Sequence, residues 1–409
     1  MTKRLIPFVI MASAMMPYLF NGLRPEHIVV PVLAGLALVL SGKDVRLNAD
    51  SRVLLFFAVF VLWATLVGVV LGSVFSDVTG SDARPEAMFL RLCMPVLMLF
   101  SFVTLLLRVP EVLETTARAI VWIAIPVGLC AVLSALIDLS NLLAPWVQQD
   151  SGSVWENSVA IGRYPGLFNQ PLEAGLFYSV ALLAQVYLIK FARRGIVVTT
   201  LGLVVIVAGG MISFSKNFSL LGVAAALLFA TWINLVGLWA VLALLIGGAV
   251  AIPLVISGLN PAYFDSLADL YREGGILMAI SAGRLGSSET GVSQLFADLW
   301  DRDRWILGRG LGSHLPLDSG YLEYFYQGGA LAIVGYLAFL VVLAVAAIRY
   351  RATAGGKLIG CLLVLAVAGS TGGPVITASR ASVAFMLLLA AAFVSIGTCC
   401  TNQIKGSLQ

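Results

Sequence analysis

The sequence predicts an all-α protein that crosses a membrane many times. Of its 409 residues, 60% are hydrophobic and only 11% are charged, and the mean hydropathy is +0.99. A soluble protein of this length could not bury so much apolar surface, so lipid must be its solvent. The apolar residues also fall in runs close to the roughly 20 residues that a helix needs to cross a bilayer.

About twelve membrane-spanning helices are predicted from these runs. They are 5–20, 26–41, 53–75, 87–107, 117–139, 171–189, 195–212, 218–234, 236–257, 319–348, 358–376 and 380–398. The chain then divides into three parts: nine helices in 1–257 with an outer loop at 140–170, a large polar loop at 258–318, and three helices with a tail in 319–409. The five cysteines lie in or beside apolar runs, so neither a disulfide framework nor a zinc site is expected.

The basic residues of the short loops predict the orientation. If the N-terminus is cytoplasmic, one side collects 14 of the 25 basic residues: Lys3, Arg4, Lys43, Arg46, Arg52, Arg108, Arg118, Lys190, Arg193, Arg194, Arg349, Arg351, Lys357 and Lys405. Both termini are therefore predicted to lie in the cytoplasm. No run of basic residues indicates nucleic acid as a partner.

The large loop at 258–318 is predicted to face the outside and to be ordered in part. In 289–305, the apolar residues Val292, Leu295, Phe296, Leu299 and Trp300 recur at helical spacing. A weaker pattern of the same kind joins Tyr263, Leu267, Leu270 and Tyr271. These segments indicate short amphipathic helices on the outer membrane surface, although plain loop packing would explain the spacing as well.

Four cations on the predicted outer side are candidates for binding an anion. Arg163 precedes a Pro-Gly turn, Lys216 lies between two apolar runs, and Arg284 and Arg309 stand beside glycines, which let a backbone approach a ligand. An arginine fork matches phosphate oxygens, and clustered cations cost free energy unless an anion joins them. The alternative is that Arg163 and Lys216 only extend to the membrane surface.

The stretch GRGLGSHLPLDSGYLEYFYQGG, residues 308–329, holds the candidates for proton transfer. Asp318 directly precedes a helix expected to begin at Ser319 or Gly320, where it would serve either as an N-cap or in a site. Glu323 lies one turn into that helix, at a depth where ionisable groups are functional candidates. His314 has a side chain suited to proton transfer, and Tyr321 is a candidate substrate contact.

The chain resembles the O-antigen ligase and O-antigen polymerase superfamily. The resemblance covers about 162–329 and includes an arginine before an apolar Pro/Gly turn (Arg163, then YPGLFNQP), the stretch SFSKN, Arg284 opening the large loop, and GRGLGSHLPLDSGYLEYFYQGG. It implies a GT-C-like bundle in the bacterial inner membrane, with its active site facing the periplasm.

The resemblance also implies roles for these residues. Arg163 and Arg284 would hold the diphosphate of an undecaprenyl-linked oligosaccharide, and Lys216 stands where the family often has arginine. No metal or nucleotide cofactor is implied, because the lipid diphosphate is the leaving group. Family ligases carry a histidine just before the late helix, whereas this chain has Asp318 there and His314 four residues earlier. That difference favours a polymerase, with a chain-length regulator as a candidate partner.

Three other functions stay open at this stage. One is an O-antigen ligase that transfers glycan to a lipid A-core acceptor. Another is a secondary transporter, although such proteins usually place their charges near the membrane midplane. The third is a flippase for lipid-linked glycans or a peptidoglycan polymerase of similar appearance.

Overall fold

A computed structural model shows a bundle of α-helices and contains no β-strand within its described residues. It describes residues 2–19, 24–40, 47–74, 85–147, 152–192, 196–235, 303–311 and 319–406, together with position 237 and short pieces between 265 and 300. The helices are α1 Ile6–Ala14, α2 Pro25–Leu40, α3 Ala49–Val74, α4 Pro85–Leu106, α5 Val112–Leu136, α6 Ser140–Leu143, α7 Gly152–Ala160, α8 Pro171–Phe191, α9 Ile196–Ile212, α10 Val223–Trp232, α11 Gly320–Arg349, α12 Ala354–Gly369 and α13 Ser379–Gly406.

The predicted all-α membrane architecture is confirmed in its main features. Six helices of the described chain are long and apolar enough to cross a bilayer, and four shorter apolar helices accompany them. The first predicted span is shorter than expected, because α1 ends at Ala14 and Pro17 cannot continue a helix. The predicted span 236–257 lies outside the described residues except for position 237, so the total of twelve stays a prediction.

Contacts between helix ends divide the bundle into two faces. The N-terminal face, on which α1 begins, is joined by the pairs Arg4–Glu111, Arg349–Asp50, Lys190–Asn234 and Lys357–Trp232. The opposite face is joined by the pairs Tyr18–Pro145, Trp146–Met15, Tyr164–Ile212 and Gly320–Ser370. Five members of the predicted basic set make contacts towards the N-terminal face: Arg4, Arg118, Lys190, Arg349 and Lys357. Which face is cytoplasmic stays a prediction.

The helices α8 and α13 form the interior of the bundle. Among the candidate spans they are the most enclosed, with 83% and 89% of their apolar windows buried, against 28% for α3. Small residues let neighbouring helices come close, as in other membrane bundles. Gly175 of α8 packs on Ser215, and Ser179 packs on Gly222 at the end of a π-helical stretch, Asn217–Gly222.

The helix α11 begins at Gly320, as predicted, but it is broken at Gly329. That residue has φ 60° and ψ −156°, which divides the helix into 320–328 and 330–349. The rings of Tyr324 and Tyr336 lie 4.7 Å apart, although twelve positions separate them, so the first segment folds back over the second.

The chain segment 305–311 fills the break in α11. The N–H groups of Arg309 and Gly310 donate to the carbonyls of Tyr326 and Gln327, each at 2.8 Å. In return, the N–H of Ala330 donates to the carbonyl of Trp305 at 2.8 Å. Backbone groups freed by a broken helix need such partners where water is scarce. The segment therefore satisfies the break and fixes 320–328 on the opposite face.

Candidate functional site

A buried ion pair joins the first turn of α11 to α4 on the opposite face. The Nη2 of Arg91 lies 3.4 Å from the Oε2 of Glu323, and the Nε of Arg91 donates to the carbonyl of Thr377 at 3.1 Å. The Glu323 side chain is 2% exposed, while that of Arg91 is 20% exposed. The carboxylate of the pair is therefore buried, whereas the Arg91 side chain keeps part of its surface exposed.

The predicted substrate contact Tyr321 lies two residues before Glu323 in the same helix and packs towards α12. Its hydroxyl donates to the carbonyl of Val367 at 2.8 Å, near the end of α12. Its ring and that of Tyr324 both pack against Tyr336, whose hydroxyl is 2.6 Å from the Oγ of Ser370. Because these contacts tie 320–328 to α12, the aromatic residues hold Glu323 in place.

The loop of Arg163 lies next to the segment that carries Lys216. The N–H of Tyr164 donates to the carbonyl of Ile212 at 3.2 Å, and Lys216 follows four residues later. The Arg163 backbone is held in turn by the carbonyl of Ser158 at 2.8 Å. Both cations are half-buried. The structure thus brings two of the predicted anion ligands to neighbouring loops on the opposite face.

Arg309 lies on the same face, half-buried in the segment that fills the break of α11. The glycines around it have a structural use. A Cβ on Gly308, which has φ +71°, would come within 2.5 Å of the Gln327 backbone, and one on Gly310, with φ +85°, within 2.5 Å of Ser73. These two glycines let the segment pack closely against α11 and α3. This packing explains why glycine is present at both positions, with no need for a bound ligand.

Several predicted residues lie outside the described residues: Arg284, His314 and Asp318. The predicted amphipathic helices do so in large part, although 268–273 is helical and Leu299 is buried beside an exposed Trp300. One local interpretation needs correction. The N-cap position of α11 belongs to Ser319, with φ −146° and ψ 126°, and not to Asp318. Extended backbone at residue 319 places the first helical residue at Gly320.

A second buried group of charges, not anticipated from the sequence, lies at the helix ends beside this site. It consists of Arg24, Glu26, Glu173 and Arg380, all between 0% and 5% exposed. Each of the four lies at or within three residues of the start of α2, α8 or α13. We call these four residues the charge cluster. Its two cations and two anions balance, which is how buried charges are tolerated.

Glu173 is the central acceptor of the charge cluster. Its Oε1 accepts from the backbone N–H of Arg380 at 2.9 Å and lies 3.5 Å from the Nη1 of Arg24. Its Oε2 accepts from the N–H of Asn169 at 3.3 Å. The sequence predicted Glu173 in the first turn of α8, where it is found. It gave no indication that this carboxylate would contact Arg24 and Arg380 at the starts of α2 and α13.

Arg380 holds together three segments that are far apart in sequence. Its guanidinium donates to the backbone carbonyls of Trp146, Leu167 and Met16. Both it and Arg24 lie over the ring of Tyr18, at 5.3 and 5.0 Å from the centroid. The whole arrangement acts as a structural clamp at the opposite face.

Charge compensation keeps Arg24 ionised within the cluster. Burial acts to lower the pKa of its guanidinium, but nearby Glu173, Tyr18 and Glu26 together outweigh burial and leave the pKa above its ordinary value. One residue of the charge cluster, Arg380, could have been recognised from the sequence as a candidate. Arg380 follows an uncharged stretch at 358–379, and an ionisable residue in that setting is a functional or structural candidate by default.

Comparison with known proteins adds no family assignment. No protein-family model matches the chain, and no curated protein matches it. The residues and their arrangement are therefore the basis for assigning a function.

Proposed function

We propose that the protein is a polysaccharide polymerase that joins undecaprenyl-diphosphate-linked oligosaccharides at the outer face of the bacterial inner membrane. One observation carries the proposal. The half-buried cations Arg163, Lys216 and Arg309 share the opposite face with the Arg91–Glu323 pair. An amphiphilic substrate with a charged, glycosylated head group needs such a site where the apolar bundle meets water.

The chemistry proposed at this face is a metal-independent glycosyl transfer. A hydroxyl of one repeat unit attacks the anomeric carbon of another, a glycosidic bond forms, and the bond to the lipid diphosphate breaks. Arg163 and Arg284 stabilise the charge that develops on the departing diphosphate. The acceptor proton passes to a nearby base, for which Asp318 is the first candidate, with His314 and Glu323 as the others.

The distribution of charge favours this proposal over transport. Every described Asp, Glu, Lys and Arg of the membrane-spanning helices lies within seven residues of a helix end. Secondary transporters commonly place coupling charges at interrupted helices near the bilayer midplane. The only described break in α11 is occupied by the 305–311 backbone, not by a charged side chain.

The test compares the two arginines proposed to bind the diphosphate with an arginine of the N-terminal face. Purified protein in liposomes would receive the lipid-linked repeat unit isolated from cells that lack this protein, and chain length would be followed on gels. Arg163→Ala and Arg284→Ala should abolish extension, because a contact to a buried diphosphate is worth several kcal/mol. Lysine at either position should rescue only in part, since it lacks the planar fork.

Arg118→Ala is the matched control, because Arg118 pairs with Glu114 towards the N-terminal face. It should extend chains at the wild-type rate. Full chain length and yield from both Arg163→Ala and Arg284→Ala would reject the assignment of these arginines to the diphosphate.

A further inference from the structure

We infer that Arg91 and Glu323 form a subsite that binds neighbouring hydroxyl groups of the acceptor sugar. Glu323 accepts a hydrogen bond from one hydroxyl, and Arg91 orients the carboxylate and donates to the next. The inference rests on the proposed function and names the part of the substrate that this side of the site recognises. It also gives a role to Arg91, which the sequence did not single out.

Glu323 has one carboxylate oxygen that faces Arg91 and one that has no partner among the described residues. Oε2 faces Arg91, whereas Oε1 is buried and has no hydrogen-bond partner among the described residues. A buried acceptor without a donor costs free energy, and a carboxylate can accept four hydrogen bonds. The site therefore lacks a donor, and a sugar O–H supplies one.

Arg91 is fixed in a way that leaves part of its fork for a ligand. The Nε–H donates to the carbonyl of Thr377, Nη2 faces Glu323 and Nη1 donates to the sulfur of Met88 at 4.0 Å, so three partners set the guanidinium plane. A guanidinium has five N–H donors, more than these three contacts use. Its 20% exposure gives an incoming group access to the pair.

The charge of the pair selects the class of ligand. A free anion would meet the Glu323 carboxylate, and a free cation would meet the Arg91 guanidinium, so neither is favoured. An acceptor beside a donor matches two adjacent hydroxyls, each of which can give and receive a hydrogen bond. A neutral sugar diol fits these features.

The experiment separates sugar binding from diphosphate binding. The protein in nanodiscs would be titrated with two probes: the free oligosaccharide released by mild acid from the lipid-linked repeat unit, and undecaprenyl diphosphate without sugar. Glu323→Gln should weaken oligosaccharide binding about 10- to 100-fold, the range expected for losing a hydrogen bond to a charged group. Its affinity for undecaprenyl diphosphate should stay at the wild-type value.

Two further variants test whether misfolding, rather than the loss of a sugar contact, weakens oligosaccharide binding. Arg91→Gln alone leaves Glu323 without its partner, so the double variant Arg91→Gln/Glu323→Gln, which buries no charge, is measured as well. It should bind undecaprenyl diphosphate normally and the oligosaccharide weakly. Glu114→Gln removes the carboxylate of a Glu–Arg pair towards the N-terminal face and should change neither affinity.

The outcomes distinguish this inference from the proposed function. Wild-type oligosaccharide affinity in Glu323→Gln overturns the subsite, whether or not chains are extended. Failure of the wild-type protein to bind the oligosaccharide overturns it too. If Glu323-dependent sugar binding is found but no chain is ever extended, the subsite stands and the polymerase proposal fails.

Discussion

The break in α11 makes Gly329→Ala the most informative single substitution for the fold. With φ 60° and ψ −156°, residue 329 lies in a region of backbone space that is essentially restricted to glycine, and an alanine there costs about 1–3 kcal/mol. The new Cβ would also meet the carbonyl oxygen of Ile306 at 2.2 Å, so the 305–311 segment must move away. Losing two of its backbone hydrogen bonds to α11 costs roughly 1–3 kcal/mol more.

We therefore expect Gly329→Ala to destabilise the protein by about 2–6 kcal/mol, the sum of the two ranges. Thermal unfolding in detergent, followed by tryptophan fluorescence, should show a Tm about 2–7 °C below that of the wild type. Gly35→Ala is the matched control, because nothing lies within 4 Å of a Cβ at that helical position. It should be neutral or slightly stabilising. A Gly329→Ala protein that melts with the wild type would refute the glycine-dependent break.

Three further predictions concern the charge cluster, the base and the topology. Arg380→Gln leaves buried carboxylates underpaired and should cost about 3–5 kcal/mol, measured as a lower Tm in detergent. Asp318→Asn should stop extension of the lipid-linked repeat unit in vitro while His314→Ala keeps substantial activity; the reverse pattern would give the base to the histidine and favour a ligase. In a cysteine-free background, an impermeant thiol reagent should label Asp303→Cys but not Arg193→Cys in intact spheroplasts, and the opposite labelling would invert the topology. Asp303 is exposed, whereas Gly308 of the same segment packs against α11.

Much of the helical architecture could be predicted because it depends on local composition. Runs of apolar residues located the long helices, Pro171 marked the start of α8, and the start of α11 at Gly320 followed from its flanking residues. These features depend on neighbours in sequence, so a single chain is enough to read them.

The pairing of charges could not be predicted, because it depends on contacts between distant segments. Arg91 and Glu323 are separated by 232 positions, and Arg380 reaches a carbonyl 364 positions away. The two glycines at 328–329 were expected to be helical, since glycine is common in membrane helices. The helix is broken at Gly329 because the segment 305–311 packs there, and this contact is not visible in the sequence. Tertiary contacts of this kind leave no periodic signal.

The most direct test of the proposed polymerase is the stoichiometry of its reaction. Wild-type protein in sealed liposomes would be given the lipid-linked repeat unit, and both glycan length and free undecaprenyl diphosphate would be quantified. We expect chains that lengthen by whole repeat units and one undecaprenyl diphosphate released for each glycosidic bond formed, without added metal or nucleotide. Substrate that crosses the bilayer while its glycan length stays unchanged, with no diphosphate released, would contradict the proposal and indicate a transporter.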